Sequence, residues 1–113
     1  MSTLTLPKSL TGKSIRWTFE EGPVKGKTFE HVFDRDGGVT YTVLDANGKP
    51  GQPTHESRAG VEKIGDSVYA VSYLGSSGYT LTVVLNFADM SAVSFASNGK
   101  DWFPARGSFE MVE

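Results

Sequence analysis

The 113 residues contain no cysteine, which excludes a disulfide framework, a thiolate metal cluster and a cysteine nucleophile. Histidine is scarce too, with His31 and His55 alone, and no close His/Asp/Glu spacing repeats around them. Long hydrophobic runs are missing. The apolar stretch at Leu4 to Leu6 is broken by Thr5 and Pro7, too short for a signal-peptide core and with no charged run before it. Nothing approaches a membrane span, so a cytoplasmic protein is the expectation. The formal net charge is -2, with acids and bases scattered, and a nucleic-acid surface would need a basic stripe. No GxGxxG or GxxxxGK[ST] run is present, nor the strand–helix alternation that would support one. No serine sits in a nucleophile-elbow context, which needs a strand-to-helix turn. No cofactor is expected, and neither nucleic acid nor membrane is expected as a partner.

Helical periodicity is also lacking, apart from room for one turn at Thr3 to Leu10. What is abundant is glycine, and it falls at turn signals: Glu21-Gly22-Pro23, Asp36-Gly37-Gly38, Asn47 to Gly51, Gly65-Asp66, Gly75 to Gly78 and Asn98-Gly99. Their spacing of about ten residues is the rhythm of hairpins in a sandwich or barrel. Asn98-Gly99 reads as a two-residue type I′ turn, because both residues tolerate positive φ. Between the turns, apolar residues alternate with the strand period. Ile15, Trp17 and Phe19 share one face, as do Phe29, His31 and Phe33, then Val39, Tyr41 and Val43, and Tyr79 through Phe87 at every second position. The segments Val68 to Leu74, Ala92 to Ser97 and Ser108 to Val112 complete about eight strands. A meander of hairpins must hide its two edges, and closure does so. The expectation is one all-β domain over residues 1–113, an eight-stranded antiparallel up-and-down barrel.

One strand differs. Thr54 to Lys63 is polar on both faces, with Thr54, Glu56 and Arg58 on one and His55, Ser57 and Ala59 on the other. It is either a solvated edge or a supplier of polar groups to a pocket, since pockets are mainly apolar with a few placed polar groups. Trp17, Phe19, Phe29, His31, Tyr41, Tyr69, Tyr73, Tyr79, Phe95 and Trp102 occupy inward-capable positions. An eight-stranded barrel is just wide enough for its own side chains or one small ligand, so core filling and ligand contact compete at each. His31 is the informative one, because a buried imidazole must find a partner. A metal site from His31, His55 and Glu56 is geometrically conceivable in a barrel but has no spacing to support it, and no metal is expected. Glu56 and Arg58 could pair with each other, at a cost if the pair points inward.

Ser72-Tyr73-Leu74, the run Ser77 to Leu85 and Phe95-Ala96-Ser97-Asn98-Gly99-Lys100-Asp101-Trp102-Phe103-Pro104 resemble the MoaF-like family. The resemblance implies a lipocalin-like (calycin) barrel and a homodimer, and it brings no catalytic mechanism, pterin site or molybdenum site. A more distant similarity is to phenolic acid decarboxylases, whose first strand carries two alternating tyrosines. Here those positions are Trp17 and Phe19, which cannot donate a phenolic hydrogen bond to a carboxylate. The acidic residue that follows a Ser-aromatic pair in that family is replaced after Ser72-Tyr73 by Leu74 and Gly75. Its arginine aligns with Gln52, or with Arg58 only across gaps. The resemblance therefore does not extend to decarboxylation.

The leading functional expectation is a small-molecule-binding barrel. Its apolar or aromatic ligand would lie among Trp17, Phe19, Phe29, Tyr41, Tyr69 and Tyr73, oriented by His31 or Arg58. The alternative is a lyase or isomerase on a small aromatic or carbonyl compound. In it, His31 or Glu56 would serve as general acid/base and Tyr41 or Tyr73 as donor. A third option is an interaction domain with a filled interior and Trp102-Phe103 as its contact.

Overall fold

A computed structural model describes residues 10–21, 25–45, 47–75 and 78–112. The expected turns at Gly22-Pro23 and Ser76-Ser77, and the turn from Thr3, lie outside these residues. Among the described residues there is no helix, and every alternating segment is a strand. The order is β1 (Ser14–Glu21), β2 (Thr28–Phe33), β3 (Val39–Leu44), β4 (Thr54–Glu56), β5 (Ala59–Gly65), β6 (Val68–Leu74), β7 (Thr80–Asn86), β8 (Ser91–Ser97) and β9 (Trp102–Val112). Neighbours pair antiparallel in one sheet, β4-β3-β2-β1-β9-β8-β7-β6-β5. The chain thus meanders except where β1 pairs with β9, the first strand with the last.

The count is nine rather than eight because the polar strand breaks. β4 pairs with β3 through Thr54, His55 and Glu56, whereas β5 pairs with β6 from Ala59 onward. Ser57 and Arg58 alone separate two strands that stand at opposite ends of the sheet order. Two residues span less than about 10 Å, so the edges are drawn together and the sheet curls into a nearly closed barrel. One backbone bond, from Ala59 N–H to the Gly37 carbonyl at 2.9 Å, bridges this seam. The break also reverses the alternation: Glu56 is buried, and Ala59 packs against the core three positions later. Arg58 is exposed in between, which corrects the reading of Glu56 and Arg58 as one face.

On β1 and β6 alternation selects the inner face as expected; on β3 it breaks at the end, where Val43 is exposed and Leu44 is buried. Ile15, Trp17 and Phe19 are buried on β1, and Tyr69, Val71 and Tyr73 on β6. Leu10 plugs one end of the barrel at 1% exposure. The wall between β1 and β6 is different in kind: β8 and β9 send Ala92, Ser94 and Ala105 inward, and Gly107 pairs with Phe19 at a β-bulge in β1. A Cβ on Gly107 would collide with the Thr18 carbonyl and stand 2.9 Å from Phe19 Cα. Only glycine permits that backbone approach. The Asn98-Gly99 turn is wider than expected, running from Asn98 to Asp101 between β8 and β9. Asn98 Oδ1 accepts the backbone N–H groups of Lys100 at 2.8 Å and Asp101 at 2.6 Å. With the side chain holding the loop, Gly99 needs no positive φ and has none.

Candidate functional site

Large rings on β1, β2, β3 and β6 facing small side chains on β8 and β9 leave room between them. The space is a cavity of about 340 Å³, lined by Trp17, Phe19, Phe29, His31, Tyr41, Tyr73 and Tyr79 among the residues the sequence singles out. Ser94, Ala96 and Ala105 form the small wall, and Gly75, Leu81 and Phe103 complete it. Buried Trp17, His31 and Tyr73 mark the floor, while Phe103 at 36% exposure marks the mouth. The cavity lies toward the end of the barrel opposite Leu10.

The floor is a stack of rings. Trp17 and His31 lie 3.7 Å apart between centroids with planes at 23°; His31 and Tyr41 lie at 5.4 Å and 23°. Tyr41 and Tyr73 continue it at 5.8 Å and 28°. Phe19 meets Phe29 edge-on at 67°. Register explains the cluster: Trp17 pairs with Phe29 and His31 with Tyr41 along the β1-β2-β3 ladders.

His31 is wholly buried and finds its partner across the barrel, His31 Nε2 lying 2.8 Å from the Tyr73 hydroxyl. Burial pushes the imidazole down to about 3, against a small opposing pull from the Phe29 backbone. The ring is therefore neutral at physiological pH. Burial likewise pushes the Tyr73 phenol up, reinforced by Tyr41 and by the Glu56 carboxylate, so Tyr73 keeps its proton. Two buried polar atoms in this floor, Trp17 Nε1 and His31 Nδ1, have no partner in hydrogen-bonding geometry among the described residues. Each such group costs about 1–3 kcal/mol.

Five of the residues singled out lie off the cavity wall. Tyr69 is buried in the closed half of the barrel, edge-on against Phe87. Arg58 is exposed at the seam, and Glu56 is buried on β4, near enough to act on Tyr73. Phe95 and Trp102 point outward, stacked on each other at 5.7 Å and 37% and 61% exposed. His31 and His55 stand on opposite faces, so a metal set of His31, His55 and Glu56 does not assemble. His55 instead joins Asp34 and Asp36 outside the barrel, with potential ligand atoms all within 4.8 Å. These groups engage each other and Thr40: His55 Nδ1 is 3.1 Å from Asp34 Oδ2, and the Thr40 hydroxyl donates to the same oxygen at 2.9 Å. Sequence reasoning missed Ser94, Ala96 and Ala105, because small residues carry no pattern that marks them as a wall; it put Leu81 on the Tyr79 face without assigning it to a pocket.

A family profile described as MoaF-like matches residues 11–110. Among solved structures, the barrel is similar to a Burkholderia vietnamiensis protein provisionally described as a beta-lactamase. The TM-score is 0.74 at 19% identity, over 96% of this chain and 100% of the other. At that identity the likeness is one of fold. No curated protein matches the sequence.

Proposed function

The chain belongs to the MoaF-like family, and from that premise and the geometry of its interior we propose that it is a small-molecule-binding barrel for an apolar or aromatic ligand. The observation that carries this is the cavity of about 340 Å³ inside an otherwise packed core. Empty apolar space forfeits dispersion contacts and costs stability, and the volume falls within the range of ligand pockets. Trp17, Phe19, Phe29 and Tyr41 supply ring contacts, and Tyr73 a fixed polar group. An acid/base role for His31 has weaker support, because an imidazole held near 3 is a poor base and is uncharged at neutral pH.

Trp17 is one of two tryptophans, so Trp102→Phe makes its emission a reporter of the cavity. Neutral bicyclic aromatics and their carboxylates are titrated while emission and melting temperature are followed. A true ligand at a hundredfold excess over Kd raises Tm by about 10 °C. A panel without any saturable emission change or Tm shift defeats the binding reading.

A further inference from the structure

We propose that the ligand is an uncharged planar aromatic molecule of roughly ten heavy atoms that donates one hydrogen bond to the Tyr73 oxygen. This rests on the binding reading above and narrows it. The size follows from the volume: about 340 Å³ is the space of about eleven water molecules at ~30 Å³ each, which suits a fused bicycle. Planarity follows from the floor. Each of the Trp17, His31, Tyr41 and Tyr73 rings lies 23° to 28° from the next in the stack, and the planes fan to 48° between His31 and Tyr73, so a flat molecule extends the stack at an open end.

Charge is excluded by what surrounds the space. Among the described residues, no lysine, arginine, aspartate or glutamate lines the cavity. Arg58 is exposed at the seam, and the Glu56 carboxylate acts on Tyr73. An anion would lose its hydration with no cation to replace it and would meet the field of Glu56. A cation would lose its hydration in the same way, and no carboxylate lines the cavity among the described residues to replace it.

The donor follows from the Tyr73 oxygen. That oxygen shares one hydrogen bond with His31 Nε2 at 2.8 Å, and a phenol has one O–H and two lone pairs. Whichever of the two atoms gives the proton in that bond, the Tyr73 oxygen keeps a lone pair for the cavity, and a donor on the ligand fills it.

Three indoles separate these claims by calorimetry on the wild-type protein: indole, 1-methylindole without the donor, and anionic indole-3-carboxylate. Indole is expected to bind about tenfold more tightly than 1-methylindole and at least about a hundredfold more tightly than the carboxylate. In Tyr73→Phe the preference for indole over 1-methylindole is expected to shrink, read as the ratio of the two affinities in the variant against that ratio in the wild type. Should that variant not fold, the wild-type comparison stands alone. Equal affinity for indole and 1-methylindole overturns the donor. Equal or tighter binding of the carboxylate, or of cationic 1-methylquinolinium, overturns the charge class. Binding by other panel compounds but by none of the indoles overturns the size class, with the binding reading intact. Silence from the whole panel defeats that reading itself.

Discussion

Acid should unfold this protein through a single ring. His31 is wholly buried, and its folded-state pKa of about 3 lies below the 6.5 of a free imidazole. The unfolded chain therefore binds a proton that the folded one refuses, and stability falls as pH drops below 6.5, until the folded ring protonates near 3. The slope is about 1.4 kcal/mol per pH unit. From pH 7 to pH 5 that amounts to about 2 kcal/mol, a large share of the ~5–15 kcal/mol that a domain possesses. Urea denaturation at pH 7, 6 and 5 measures it. His31→Gln keeps a polar partner for Tyr73 and cannot titrate, so its stability should fall by about 2 kcal/mol less over the same interval. The other titrating groups are common to both proteins and cancel in the difference. If His31→Gln folds too poorly, His31→Phe serves the same purpose. Parallel pH profiles for wild type and variant would refute the burial argument.

Gly107→Ala drives a Cβ into the Thr18 carbonyl and should cost more than about 2 kcal/mol in urea denaturation. Ala105→Leu sends three carbons into the void beside Ser94; it should raise Tm, at up to about 0.8 kcal/mol per carbon, and abolish ligand-induced shifts. Tyr73→Phe leaves His31 Nε2 unpartnered in the core and should cost about 1–3 kcal/mol, read as a lower denaturation midpoint at unchanged m-value.

The barrel was legible because its inner face is written in large residues at period two. Ile15, Trp17, Phe19, Tyr69, Val71 and Tyr73 are buried as alternation requires. Alternation separates two faces without saying which is inside, and that is why Phe95 and Trp102 could be placed inward. The inner residues of β8 are in fact Ala92, Ser94 and Ala96, whose modest hydrophobicity loses to Phe95 in any pattern count. The seam was hidden for another reason. Ser57 and Arg58 carry no glycine, proline or apolar cue, yet the chain there leaves one neighbour strand for another and flips its faces. His31 announced itself as a buried polar group, but its partner lies 42 positions away on β6, a distance that local pattern does not reach.

The seam and the cavity are coupled by that same bond. β3 and β4 share three paired positions, and no ladder joins β4 to β5 among the described residues. β1 and β9, by contrast, pair from Ser14–Val112 through Glu21–Arg106. Separation of the β4 and β5 edges is therefore the opening that breaks the fewest backbone hydrogen bonds. The His31–Tyr73 hydrogen bond spans β2 to β6, elements on either side of this seam, and it is a polar link inside the barrel that opposes the opening. A molecule seated on the Tyr41–Tyr73 stack touches both sides and adds to that link. Amide hydrogen exchange should thus be faster in β4 and β5 than in β1 and β9, and a bound ligand should slow β4 and β5 most. In Tyr73→Phe the unliganded seam should exchange faster still, with β1 and β9 little changed. Uniform exchange around the barrel, or ligand protection spread evenly over every strand, would show that the broken strand is as firmly closed as the rest and that the cavity does not depend on it.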